Sequence, residues 1–230
     1  MPEADTARRH QEPGLSDAHP ARLKHHFDDL QQQREAATLG MWVFLATEVL
    51  FFGGLFAAYL VYRVWYPTTF GEASRNLHLT FGAINTVVLI TSSLTMALAV
   101  EASAIGRRRS LILFLLVTMA LGATFLVIKG FEYHHKWVEH LVPGPYFTFD
   151  GPDPIHAQIF FSLYFALTGL HALHMVIGLG ILTVIVIMAV RGRFTAEWNT
   201  PVEISGLYWH FVDIIWIFLF PLLYLIDRHR

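Results

Sequence analysis

From Ala157 to Val190 the chain runs without a single Asp, Glu, Lys or Arg. As one helix this stretch would be on the order of 50 Å long, well beyond the roughly 20 apolar residues that cross a hydrocarbon layer of about 30 Å. It holds no proline and no polar break, and its only candidate breakers are Gly169, Gly178 and Gly180. It therefore reads as one long helix that tilts or protrudes from a membrane, not as two crossings joined by a turn. Four further apolar runs accompany it: Leu39–Tyr62, interrupted by Glu48 alone among charged residues, Leu79–Val100, Leu111–Ile128 and Ile204–Ile226. Lys129, at the end of the third of these, is placed to snorkel toward the interface, and Pro221 is expected to disturb the last helix near its end.

The fold class that follows is all-α, an integral membrane bundle of five transmembrane helices over residues 38–230, preceded by a polar tail over residues 1–37. The charged share of 15%, against about a quarter in soluble domains, agrees with it. The tail has no apolar core of the length a secretory signal needs, so cleavage is not expected and the N-terminus stays on the side of synthesis. Its histidines, His10, His19, His25 and His26, lie in a stretch with little apolar material, for which disorder or a partner-bound conformation is expected.

Five crossings put the termini on opposite sides, and basic residues choose the orientation. On the N-terminal side lie Arg8, Arg9, Arg22, Lys24 and Arg34, then Arg107, Arg108 and Arg109, then Arg191 and Arg193; Arg63, Arg75, Lys129, Lys136, Arg228 and Arg230 fall on the other. The sharper basic cluster sets the N-terminus in the cytoplasm. The third connection, Gly130 to His156, carries Pro143, Pro145, Pro152 and Pro154 together with Gly144 and Gly151, which favours successive turns over a long helix.

Several function classes are excluded. Without cysteine there is no disulfide, thiolate zinc site, iron–sulfur cluster or C-x-x-C-H haem attachment. A net charge of -2 and the lack of any run of five or more basic residues give no field suited to nucleic acid. No P-loop, nucleophile elbow, H-E-x-x-H or dinucleotide fingerprint occurs.

A few polar residues remain inside the apolar runs. Glu48 lies roughly 13 Å along its helix from Leu39, too deep to stay charged and alone. It is either a proton-linked or subunit-contact carboxyl, or a neutral acid hydrogen-bonded to a neighbouring helix. His171 and His174 are one turn apart on one face, which invites a metal or haem reading; two such neighbours cannot grip a haem iron from opposite sides, so packing or hydrogen bonding is the expected role. Trp209, His210, Asp213 and Trp216 group in the last run, where His210 and Asp213 are spaced for a local proton-sharing pair within a structural network. Glu101, Glu132 and Glu203, near run ends, are expected at the interface with headgroups or water.

Several of these segments together resemble subunit III of the haem-copper cytochrome c and quinol oxidases. The carriers are ATEVLFFGGLFAAY with Glu48, INTVVLITSS, KGFEYHHKW with Glu132 and Tyr133, FFSLYFALTGLHALHMVIG with His171 and His174, and Glu203 followed by GLYWHFVDIIWIFLFPLLY with Trp209, His210, Asp213 and Trp216. The likeness spans about residues 38 to 227. Many members have seven helices with a lipid-filled cleft behind the first two; this chain matches the five-helix form, which leaves Glu48 nearer to lipid or to a neighbouring subunit.

The resemblance implies an accessory subunit with no redox centre, no metal and no cofactor of its own. It implies as partners the catalytic subunit I, which holds the haems and copper, other oxidase subunits, and bound phospholipids in a bacterial inner membrane. It implies a role in stabilising subunit I and sustaining proton uptake. Three alternatives stand beside it: the related accessory protein of nitric oxide reductases, an independent proton-coupled transporter using Glu48 and Asp213, and a membrane cytochrome b.

Overall fold

Helices form over all five apolar runs and extend past most of their ends, because neighbouring polar residues supply caps and favourable propensity. The computed structural model describes residues 27, 29–196 and 198–225. The tail histidines, most of the tail's basic residues, Ile226, Arg228 and Arg230 lie outside the described residues. The order is α1 Leu30–Trp65, α2 Pro67–Arg75, α3 Leu79–Ala104, α4 Arg108–Val138, α5 Pro154–Val190 and α6 Thr200–Tyr224. Five of the six are long and apolar enough to cross a membrane, and every described element of regular length is helical.

The first helix starts well before its apolar run. Asp29 is its N-cap, accepting from the Gln32 amide at 2.6 Å, and the following Gln, Arg, Glu and Ala residues are good helix formers. At the far end of α4, helix continues through FEYHHKWV to Val138. The turn-rich connection read from Gly130 is thereby corrected: it begins only at Glu139, because the prolines that forbid helix all lie at or beyond 143. The short α2 was not foreseen. Pro67 occupies its first turn, where a missing N–H costs nothing, and its Phe70 is fully buried against Tyr59 and Phe160. Residues 154–190 form one helix without a turn at any of their glycines, about 55 Å long at 1.5 Å per residue.

Packing follows a heptad rhythm. The buried residues of α3 are Gly82, Asn85, Leu89, Ser92, Met96, Ala99 and Ser103, with Ala102 beside the last, and those of α4 are Leu111, Leu115, Thr118, Gly122, Phe125, Lys129, Glu132 and Lys136. Alternating steps of three and four are the spacing of a left-handed, knobs-into-holes pair, and α3 and α4 form the most extensive helix pair of the molecule. In contrast, α1 buries only Leu45, Phe52 and Tyr59, one residue every seven, so it leans on the bundle along a single stripe.

At the centre stands α6, buried on most of its circumference, its backbone close to α1, α2, α3 and α5 and its side chains reaching α4 as well. Its helix continues through Pro221 to Tyr224, and its last carbonyls, which have no partner inside the helix, are capped from other elements. Tyr59 of α1 donates to the Leu222 carbonyl at 2.7 Å, and Ser74 of α2 to the Leu223 carbonyl at 2.8 Å.

Candidate functional site

The deepest polar cluster joins α4, α5 and α6 around an ion pair. Lys129 and Glu132, 3% and 0% exposed, lie 3.0 Å apart. The ammonium spends its three protons on Glu132 Oε2 at 3.0 Å, the Tyr164 hydroxyl at 3.2 Å and the Tyr224 hydroxyl at 2.8 Å. Both hydroxyls in turn donate to Glu132 Oε1, at 3.0 and 2.6 Å. The ring closes with every donor used. The rings of Tyr133, Tyr164, Trp216 and Tyr224 surround the ammonium at 4.9 to 5.4 Å, a favourable setting for a cation. This corrects two expectations. Lys129 does not snorkel and Glu132 does not rest at the interface, because each finds its counter-charge one turn away on the inward stripe of α4. Tyr133 sits at the edge of the cluster and shares a 2.6 Å hydrogen bond with Thr168.

The second cluster joins α1 to α5. Glu48 Oε2 lies 3.2 Å from His174 Nε2, near enough for a charge pair though outside hydrogen-bond geometry. His174 Nδ1 faces the Leu170 carbonyl at 2.9 Å; a carbonyl can only accept, so Nδ1 carries a proton. This leaves Nε2 as the nitrogen that faces Glu48. Phe52 and Tyr208 pack on the imidazole, and Tyr208 donates to the His174 carbonyl at 2.9 Å.

One turn earlier, His171 donates from Nε2 to the Val212 carbonyl of α6 at 3.0 Å, between the rings of Phe125 and Trp216. Its Nδ1 is buried with no hydrogen-bond partner. The two histidines share a helix face but not a focus: each commits one ring nitrogen to a different backbone carbonyl.

The α6 signature packs against α3, α4 and α5. Trp209 donates to Ser92 at 2.9 Å and Trp216 to Thr86 at 3.1 Å. A Cβ on Gly122 or Gly178 would lie 2.8 or 3.0 Å from the Trp209 ring, so glycine at these positions lets the indole lie against both helices. His210 does not bond Asp213; its Nδ1 meets the Ser93 hydroxyl at 2.7 Å. Asp213 is 3% exposed and neither carboxyl oxygen has a partner in hydrogen-bond geometry, with the Ser93 hydroxyl facing it. Ser93 of α3, which faces both residues, engages the imidazole in place of the carboxyl.

Charged groups also tie the ends of the bundle. Arg34 makes two hydrogen bonds to the Glu203 carboxylate, at 3.0 and 2.9 Å, so Glu203 is engaged by α1 and not left to headgroups alone. On the same side Arg108 reaches the Ala189 carbonyl at 2.9 Å and also that of Val190. On the opposite side Asp153 caps α5, accepting from the His156 amide at 3.3 Å, and contacts the His156 ring at 2.7 Å and the Thr69 hydroxyl at 3.1 Å. Burial acts to raise the Asp153 carboxyl, but these hydrogen bonds and the nearby imidazole outweigh it and hold the group below the ordinary aspartate range.

Lys129, taken for a snorkelling residue, and the two tyrosines Tyr164 and Tyr224 are the members of this cluster that sequence reading missed; for Lys129 a signal was present. The signal was its i, i+3 spacing to Glu132.

The sequence model of the family described as cytochrome c oxidase subunit III matches residues 24–227. Among individual proteins, the chain is 33% identical to a cytochrome c oxidase subunit 3 of Thermostichus vulcanus, over 87% of this chain and 92% of that one. It is 32% identical to a cytochrome bo(3) ubiquinol oxidase subunit 3 of Pseudomonas aeruginosa, over 92% and 94%. A cytochrome c oxidase subunit 3 of Synechocystis is 35% identical over 81% of this chain and 74% of its own length.

Proposed function

The chain belongs to the cytochrome c oxidase subunit III family, and we propose that it packs against the haem- and copper-bearing catalytic subunit I, stabilises it and sustains proton uptake there. It is an accessory subunit III of a haem-copper oxidase, an integral membrane protein and part of an oxidase complex. The haems and copper reside in partner subunits, and phospholipids bind along its outer apolar faces. The membrane is the bacterial inner membrane, with the N-terminus and the Arg107–Arg109 connection on the cytoplasmic side.

One observation supports this reading above the others. Two sets of ionisable groups at membrane depth are engaged inside the bundle, Lys129 with Glu132 on its own helix and with Tyr164 of α5 and Tyr224 of α6, and Glu48 of α1 with His174 of α5. Such groups fix helix positions. The α1 helix, attached by one stripe, turns Trp42, Val49, Leu50, Phe51 and Val64 outward, an apolar face suited to lipid or to a neighbouring subunit. Relatives named for cytochrome c oxidase and for ubiquinol oxidase match this chain about equally, which supports placing the choice of electron donor in other subunits.

Affinity purification of the tagged chain from gently solubilised membranes tests the assignment. Copurification of a subunit with a haem-copper centre is the expected result. Recovery with a haem and non-haem iron centre, or solute transport by the purified chain alone in liposomes, would overturn it.

A further inference from the structure

We propose that the surface where α3 begins and α4 ends binds a divalent transition-metal ion through His78, His135 and Glu139. Among the described residues this is the one group of three histidine or acidic side chains whose ligand atoms converge, all within 4.8 Å of one another. It lies apart from the membrane-depth clusters, on the face opposite the N-terminus.

The helices bring these residues together for separate reasons. His135 and Glu139 are one turn apart at the end of α4, so they share a face, and His135 Nε2 already stands 3.2 Å from Glu139 Oε1. Ligand atoms around a tetrahedral zinc ion with bonds of about 2.0–2.1 Å are roughly 3.3 Å apart, so this pair has the spacing of two ligands on one ion. His78 comes from the chain just before α3. It occupies the N-cap position but makes no side-chain cap hydrogen bond, and its ring centroid is 4.9 Å from that of His135. His78 is exposed, and a ring nitrogen of it already lies within 4.8 Å of the other two ligand atoms.

A buried lysine holds both halves of the site. Lys136 is 0% exposed on its side chain and 2.5 Å from Glu139 Oε2. It also donates to the Asn76 carbonyl at 2.6 Å, two residues before His78. The ammonium thus takes one carboxylate oxygen, turns the other toward His135, and anchors the segment that carries His78 to the end of α4. Outer partners orient metal ligands.

Two imidazoles and one carboxylate select zinc-like ions over magnesium or calcium, which prefer all-oxygen sets. Three protein ligands leave a fourth position for water. A bound ion would staple the start of α3 to the end of α4 at the membrane surface.

The test is equilibrium dialysis of the intact oxidase complex, cleared of loosely held metal with a mild chelator, against a series of Zn2+ concentrations, with elemental analysis of zinc per complex. Wild type is compared with His78→Ala, His135→Ala and the neighbouring control His134→Ala. The expected result is one zinc equivalent whose affinity falls about tenfold or more in the first two variants and holds in the control, with excess Mg2+ failing to displace it. Haem content and subunit composition confirm that each variant is assembled. Equal zinc uptake by all four proteins, or equal loss in the His134→Ala control, would overturn the site.

Discussion

Removing Lys129 alone should damage this protein far more than removing Lys129 and Glu132 together. In Lys129→Met the Glu132 carboxylate stays at 0% exposure with two tyrosine hydroxyls but no counter-charge. Breaking a buried pair from one side costs about 3–5 kcal/mol, because the remaining charge has lost its compensation. Glu132→Gln strands the ammonium in the same way. The double variant Lys129→Met with Glu132→Gln removes both charges while keeping an amide oxygen for the tyrosines. Its cost should be roughly 1–2 kcal/mol, the scale of one or two altered hydrogen bonds, giving a coupling of at least about 4 kcal/mol between the sites. Denaturant titration of the full chain in mixed micelles measures this. Trp216, whose ring is 5.1 Å from the Lys129 ammonium, provides a fluorescence signal at the site. A single variant losing under about 1 kcal/mol, on the scale of an exposed pair, or a double variant as unstable as the sum of the singles, would refute the idea of a closed buried pair.

Gly122→Ala should cost about 1–3 kcal/mol, because the new Cβ would lie 2.8 Å from the Trp209 ring and overpack the α4–α6 contact; Gly180→Ala, with open space around it, should be neutral or slightly stabilising in the same titration. Glu48→Gln should leave the complex assembled with unchanged haem content, measured by visible spectroscopy after purification, and severe haem loss would contradict the accessory reading. Arg34→Gln should cost no more than about 1 kcal/mol, since the pair with Glu203 is exposed, and the difference from wild type should shrink at high salt. Asp153 contributes stability that is fully present above the ordinary aspartate value of 3.8 and is lost as pH falls through its lower folded value; Asp153→Asn should flatten that acid limb in thermal melts taken between neutral pH and about pH 3.

The five crossings were legible because a bilayer imposes a length and an apolar composition that leave little ambiguity in sequence. Which face of each helix points inward was not, since lipid-facing and bundle-facing sides are both apolar and a hydrophobic period cannot separate them. The buried stripe is written in another alphabet. On α3 it is Gly82, Asn85, Ser92, Ala99 and Ser103, and on α4 it is Thr118, Gly122, Lys129, Glu132 and Lys136, the small and polar residues that let membrane helices approach and bond. Read for those residues, the heptad spacing of both helices lies open in the sequence, and Lys129 falls on the inward face with Glu132. The partnership of Glu48 with His174 was less accessible, because it depends on how α1 leans across α5. The partnership of His210 with Ser93 depends likewise on the crossing of α3 and α6.

The two intramembrane pairs are built for different ends. Around Lys129 every proton is committed and every acceptor of Glu132 is filled, so a change of protonation would break several bonds across three helices at once. That arrangement resists change, as suits a lock between α4, α5 and α6. Glu48 and His174 instead share one contact at 3.2 Å, their side chains 18% and 10% exposed, and the backbone carbonyl that fixes the Nδ1 proton leaves the Nε2 side free. The junction of α1 and α5 is thus the looser of the two, on a helix that the bundle holds along a single stripe.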